Sequence, residues 1–266
     1  MMENISVARQ DDGVVTVRLA HPPLNTLTRP MMRELQDTFV GFGADRDVRA
    51  VVLAAEGDRA FCAGLDLNRR LDGSDGDSAD RPLSPQEVLD HGRLWRETQW
   101  SVRHCPVPVI AAVEGAAVGG GFGLVGVCDL IFASERARFG LTEINVGLLG
   151  GASKALRMLG PFKARKVFFT GELLPASELY RLGAVEEVTP PGQAEARAMA
   201  LAQTLAQKSP IALRLSKESI VRIEHMGLEE AYRTEQDYTV RLATFNDSRE
   251  AMAAWVEKRD PHWTWT

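Results

Sequence analysis

Three segments of the chain hold residue types that could do chemistry. In Phe139-Gly140-Leu141-Thr142-Glu143-Ile144-Asn145-Val146-Gly147 a single carboxylate, Glu143, stands among apolar and small residues. Burial there would raise its pKa toward the range in which a carboxyl can both take and give a proton. A surface or capping glutamate fits the same string, and from this segment alone that plainer reading is favoured. Gly119-Gly120-Gly121-Phe122-Gly123 follows an apolar run at 107–113 and opens toward a helix. A glycine-lined helix start exposes free N–H groups and a positive dipole end, suited to an anion or a developing oxyanion. Close packing of a helix on a sheet explains those glycines about as well. In Phe61-Cys62-Ala63-Gly64-Leu65-Asp66-Leu67, small residues leave backbone N–H groups free to face a ligand. Taken alone, a tight strand-to-loop turn is the better reading of that stretch.

Other patterns are discounted. Gly121-Phe122-Gly123-Leu124-Val125-Gly126 matches the dinucleotide pattern G-x-G-x-x-G. It does not begin directly after its strand, however, and Asp129 comes too early for the acid expected ~20 residues on. Residues 147–154 lack the spacing of a phosphate-binding loop, and no G-x-S-x-G elbow occurs. His21, His91, His104, His225 and His262 are scattered without partner spacing, and Asp129 reads as a capping or pairing group at a strand start. Cys62, Cys105 and Cys128 show no metal-ligand spacing, and an odd number leaves one unpaired in any disulfide scheme. A reducing compartment is the simpler reading.

The elements that must position these groups follow from periodicity. Asp12-Gly13 marks a turn, after which Val15, Val17 and Leu19 alternate with polar residues as in a strand. Thr28 can cap a helix carrying Leu35, Phe39 and Phe42 at helical spacing. Strands are predicted at 49–55, 107–113, 130–134 and 184–188, a mobile loop at 72–85, and a capping box at Ser84-Pro85-Gln86-Glu87 opening a helix toward His104. Beyond residue 193 amphipathic runs predict helices at 194–208, 211–225, 228–242 and 248–258. The chain therefore divides into an α/β core, 1–190, and a C-terminal helical region, 191–266. Met226, Trp255, Trp263 and Trp265 of that region could pack on another subunit, with core packing the default.

The 266 residues are 45% hydrophobic and 25% charged, the composition of a globular protein long enough to bury a substantial core. Net charge −5 argues against a broad nucleic-acid footprint, which requires a basic face. Arg69-Arg70 and residues 157–166 leave a local basic face open, which salt-dependent RNA retention would reveal. No apolar leader opens the chain, and the least polar stretch, 106–128, is interrupted by Glu114 and glycines. No membrane span is expected, and the location is expected to be cytoplasmic.

Taken in order, the segments resemble the crotonase, or enoyl-CoA hydratase/isomerase, superfamily. The resemblance runs over nearly the whole chain. It includes Pro22-Pro23-Leu24-Asn25-Thr26-Leu27, the 60–67 and 114–121 stretches, Cys128-Asp129, residues 139–147, Lys208-Ser209-Pro210 and Glu257-Lys258-Arg259-Asp260-Pro261. It implies a spiral of ββα units with a C-terminal helical trimerisation region, assembled as a homotrimer or a dimer of trimers. The partner would be an acyl-CoA thioester, with coenzyme A part of the substrate and no metal or redox cofactor required. By the same resemblance, the N–H groups of Leu65 and Gly120 would hold the thioester oxygen. Ala63, Gly64, Asp66 and Leu67 would line the adenine and pantetheine path, with Asn25 and Leu27 nearby; Gly119, Gly123 and Thr142 would complete the substrate site.

One departure is informative. Hydratases of this family use two glutamates; the second aligns with Glu143, and the first with Gly123. Glu143 would then be the single acid/base, as in enoyl-CoA isomerases and hydroxycinnamoyl-CoA hydratase/lyases. Leu141-Thr142-Glu143-Ile144-Asn145 is similar to the lyases, although no tyrosine in the 68–85 loop could grip a phenol. A binding protein that retains acyl-CoA without turnover is the alternative from another class.

Overall fold

The Asp12-Gly13 turn forms as expected: Asp12 Oδ1 accepts the Val14 N–H at 3.0 Å and Gly13 takes φ 84°. It joins β1 (Ile5–Arg9) and β2 (Val14–Leu19) into an antiparallel pair. The computed structural model describes residues 4–66, 89–90 and 92–266. The 72–85 loop, the 84–87 capping box, His91 and Leu67 lie outside the described residues. From β2 the sheet continues in parallel through β3 (Ala50–Ala55), β5 (Val109–Val113), β7 (Leu130–Ser134) and β10 (Glu187–Thr189). A smaller sheet holds β4 (Ala60–Cys62), β6 (Ala116–Val118), β8 (Arg138–Gly140) and β9 (Leu174–Pro175); its first three strands run parallel and β9 returns antiparallel.

Consecutive strands alternate between the sheets: β3 then β4, β5 then β6, β7 then β8. This is a spiral of ββα units. Among the described residues its helices are α1 (Arg29–Gly41), α2 (Arg93–Arg103), α3 (Gly120–Val125), α4 (Ala152–Thr170) and α5 (Ala176–Arg181). The C-terminal run is α6 (Ala194–Ala206), α7 (Pro210–Ile223), α8 (Leu228–Ala243) and α9 (Asn246–Glu257). Thr28 caps α1, its hydroxyl accepting the Met31 N–H at 3.3 Å, and the helix buries Met31, Leu35 and Phe39.

Alternation in β2 predicts one buried face, yet Val14 through Val17 are all buried. The reason is a helix layer on each side of the large sheet, the usual setting of parallel strands. Val15, Val17, Val51, Leu53, Ala111 and Val113 point into the main core. Val14, Val52, Ile110 and Ala112 meet α6, whose Ala198, Ala202 and Ala206 recur every fourth residue and let the helix lie close. The last strand is also displaced from its expected position at 184–188. Ala184 and Val185 instead turn back, both N–H groups donating to Leu179 O, and pairing with β7 covers Glu187–Thr189. Ile211, Leu215 and Tyr238 of α7 and α8 form a separate small cluster.

Asp129, expected to cap or pair, holds the centre of the sheet to the tail. Its Oδ2 accepts the Val109 N–H at 2.7 Å and an ion pair from Lys217 Nζ at 2.7 Å. Lys217 is 6% exposed and also donates to Val107 O.

Candidate active site

Parallel strands β4, β6 and β8 are neighbours, and the chain leaving their C-terminal ends supplies the three segments singled out above. Leu27 and Leu65 form an isolated parallel bridge: the Leu27 N–H donates to Gly64 O at 2.8 Å, and the Asp66 N–H donates to Leu27 O at 3.3 Å. In a trans peptide the carbonyl and the following N–H point in opposite directions. With Gly64 O turned to Leu27, the Leu65 N–H is turned away from it, toward the cavity. Gly120 is the first residue of α3, so its N–H has no intrahelical acceptor. Among the described residues neither N–H has a partner.

Glycines make this approach of two donors possible. A Cβ on Gly64 would lie 3.3 Å from Gly120 N, and one on Gly120 would lie 3.4 Å from Leu65 N. Gly64 moreover sits at φ 99°, where a side chain is strained. Close packing also holds, one residue on: a Cβ on Gly121 would fall 2.0 Å from Cys62 O. Beneath the donors, Cys62 is buried, and its Sγ accepts the Gly64 N–H at 3.4 Å. Burial pushes this thiol up to about 12.

Glu143 opens a 3₁₀ turn, Glu143–Val146, just after β8. Its carboxylate lies between two glycines: Oε1 is 3.2 Å from a Cβ position on Gly119 and 3.1 Å from one on Gly150. Oε2 is buried and has no hydrogen-bond partner. Desolvation therefore raises the carboxyl above the ordinary carboxylate range, opposed only by its own backbone N–H. An unpaired, half-buried carboxylate of this kind is suited to move a proton.

Leu65, Gly120 and Glu143 border one cavity of about 240 Å³, together with Ala63, Gly64, Gly119, Gly123 and Thr142. The space above Gly123 is taken by α2. A Cβ on Gly123 would meet Trp95 Cζ2 at 3.4 Å and Gln99 Oε1 at 3.5 Å. Trp95, Gln99 and Lys154 line the cavity and were not singled out in the sequence. Trp95 and Gln99 are four apart on one helix face, but nothing in the sequence places that face over Gly123. Among the described lining residues Glu143 is the only carboxylate.

Two expected substrate residues are placed differently. Asn25 is fully buried: its Nδ2 donates to Glu56 O and Ala60 O, both at 2.9 Å, and its Oδ1 accepts the His21 N–H at 3.0 Å. With its amide spent on backbone it has nothing left for substrate. Leu27 is 2% exposed and supports the Gly120 region from below, its Cδ1 3.1 Å from the Cβ position there. Asp66 is half-buried beside the Leu27 bridge and is not among the residues bordering the cavity. The described histidines lie elsewhere; His21 Nδ1, for example, is 3.1 Å from Thr26 O. Among the described residues no cluster of metal-binding side chains occurs, and no helix is long and apolar enough to cross a membrane.

Comparison with known proteins shows the family. A family model described as enoyl-CoA hydratase/isomerase matches residues 9–265. The chain belongs to that family. A Mycobacterium tuberculosis relative, named (7aS)-7a-methyl-1,5-dioxo-2,3,5,6,7,7a-hexahydro-1H-indene-carboxyl-CoA hydrolase, is 35% identical over 254 residues, 96% of this chain and 99% of its own. The crystal structure of enoyl-CoA hydratase from Bacillus anthracis superposes with a TM-score of 0.88 at 32% identity, covering 98% of this chain and 99% of its own. That of the Mycobacterium smegmatis enoyl-CoA hydratase gives 0.85 at 30% identity, with 98% and 99% covered. This member of the enoyl-CoA hydratase/isomerase family is thus similar to hydratases and to a carboxyl-CoA hydrolase alike.

Proposed function

We propose that the protein is an acyl-CoA enzyme that forms an enolate or dienolate at a thioester, using Glu143 as its single acid/base. The N–H groups of Leu65 and Gly120 would receive the thioester oxygen. Taking a proton from the adjacent carbon moves negative charge onto that oxygen, and one preorganised donor is worth ~2.7–4 kcal/mol to such a charge. Glu143, held above the usual carboxylate range by desolvation, takes the proton and returns it at a second position. Within this reading isomerisation or single-glutamate hydration of an enoyl-CoA stands first. Hydratase/lyase chemistry on a hydroxycinnamoyl-CoA is the alternative. A hydrolase reading gains weight from the M. tuberculosis relative's name and from a cavity in which, among the described residues, one carboxylate stands rather than two. The observation that carries the proposal is the partnerless Glu143 Oε2 in the cavity that Leu65 and Gly120 also border.

Coenzyme A enters as part of the substrate, with no further cofactor assigned. The tail also fits a homotrimer or a dimer of trimers: Leu228, Val240, Trp255 and Val256 are at least two-thirds exposed, as expected of surfaces covered by other copies. Light scattering after gel filtration tests that point.

The deciding experiment incubates 2-enoyl-, 3-enoyl- and 4-hydroxycinnamoyl-CoA with the enzyme in deuterated water and weighs the products. Double-bond migration with deuterium uptake identifies an isomerase, a gain of one water a hydratase, and aldehyde release the lyase. Glu143→Gln is expected to abolish turnover while thioester binding persists. Undiminished turnover by that variant would remove Glu143 from the mechanism.

A further inference from the structure

Lys154 is the one described residue that borders both the site cavity and a neighbouring cleft of about 580 Å³. It lies in the first turn of α4, three residues after the N-cap Gly151, and that turn holds no acid. A cation at this end of a helix opposes the helix dipole. Its surroundings compensate only in part. Nζ stands 5.3 Å from the centroid of the Trp100 ring, a cation–π contact, and no carboxylate pairs with it among the described residues. Glu224, the acid of the adjoining cleft, is already shared by Arg103 and Arg157. Glu143 borders the same cavity, yet burial alone accounts for its raised pKa, so Lys154 is not its counterion. Burial and the charge of Arg103 both lower the proton affinity of Lys154. A half-buried cation without a counterion breaks the local rules in the way functional positions do.

The cavity joins several chemistries. The oxyanion donors and Glu143 border it, and apolar Trp95, Val146, Leu148 and Leu149 line it. Lys154 stands where it adjoins the neighbouring cleft, with Nζ over Trp100 of that cleft. We infer that the acyl group bound here carries a free carboxylate at its far end, received by Lys154 after an apolar stem. The substrate class is then a CoA monothioester of a dicarboxylic acid. This rests on the acyl-CoA reading above and narrows it.

Calorimetric titration with saturated thioesters tests it without requiring turnover. Adipyl-CoA is compared with hexanoyl-CoA, and suberyl-CoA with octanoyl-CoA, on the wild type, Lys154→Met and Lys154→Arg. A charge-assisted contact predicts that the wild type binds at least one dicarboxylic member about tenfold tighter than its methyl-ended partner. That ratio should collapse toward one in Lys154→Met and survive in Lys154→Arg. Thioesters that bind with the same ratio in wild type and Lys154→Met, or a wild type preferring the methyl ends at both lengths, would overturn the inference and leave the acyl-CoA reading standing. Failure of every thioester to bind would overturn both. The wild-type ratio needs no variant, so a Met substitution that fails to fold does not protect the idea.

Discussion

Replacing Asn25 with alanine tests whether this residue is a strut rather than a substrate ligand. The side chain is wholly buried and makes three hydrogen bonds to backbone, at 3.0, 2.9 and 2.9 Å. Alanine leaves the His21 N–H and the carbonyls of Glu56 and Ala60 without that partner. The Ala60 contact is fully buried, so its carbonyl bears a full desolvation cost of ~1–3 kcal/mol, and each of the two part-buried bonds contributes ~0.5–1.5 kcal/mol. Asn25 also sits at φ 48°, a left-handed conformation that costs alanine another ~1–2 kcal/mol. The sum is roughly 3–8 kcal/mol, and at ~2–4 °C per kcal/mol for a chain near this size the melting temperature should fall by ~6–32 °C. Urea and thermal denaturation followed by circular dichroism measure the two. Asn25→Asp adds a pH signature, because a carboxylate facing two carbonyls is disfavoured. Its folded pKa is raised, so the variant is least destabilised below pH ~4 and loses stability as pH rises. A loss under about 1 kcal/mol for Asn25→Ala, accompanied by weakened thioester binding, would refute the strut and return Asn25 to the substrate site.

Other outcomes follow from the same geometry. Gly64→Ala puts a methyl 3.3 Å from Gly120 N and forces alanine to φ 99°; turnover should drop by ~10²–10³, the cost of one oxyanion donor, in single-turnover measurements. Because desolvation holds the Glu143 carboxyl above its ordinary 4.5, the acidic limb of the kcat/KM profile should lie above pH 4.5 and disappear in no variant that keeps this environment. The same shift sets a stability difference: the native state favours the protonated acid, so Glu143→Gln should be the more stable protein at neutral pH and lose that advantage below pH 4.5. Lys217→Met leaves the part-buried Asp129 with only the Val109 N–H and should cost ~1–3 kcal/mol in urea, whereas a surface lysine would cost almost nothing.

Each of the three site segments carries a local anomaly, a run of small residues or a lone acid among apolar ones, but none of them alone outweighed a plainer reading; their order along the chain, through the family resemblance, joined them. What they could not show singly was convergence, since that depends on β4, β6 and β8 lying side by side while their sequence partners β3, β5 and β7 go to the other sheet. Trp95 and Gln99 stayed hidden for the same reason; their spacing marks a helix face, and only tertiary packing sets that face over Gly123. Lys154 did leave a trace, a cation just after Gly150-Gly151 with no acid in the helix's first turn. Asn25 was placed near the substrate by resemblance alone; the structure shows its amide tying the 21–27 loop to the backbone at Glu56 and Ala60. In β2, alternation was a true signal for one face and silent about α6 on the other.

The buried cysteines give the molecule a built-in clock. All three thiols are buried, burial raises each, and the sequence contains no others. A thiol reagent therefore modifies the folded chain only during excursions that expose one of them. Cys62, its sulfur bonded to the Gly64 N–H directly under Leu65 and Gly120, times the opening of the donor shelf itself. Its alkylation rate should slow in proportion to the fraction of sites occupied, which turns an ordinary labelling reaction into a readout of occupancy for ligands that are never turned over.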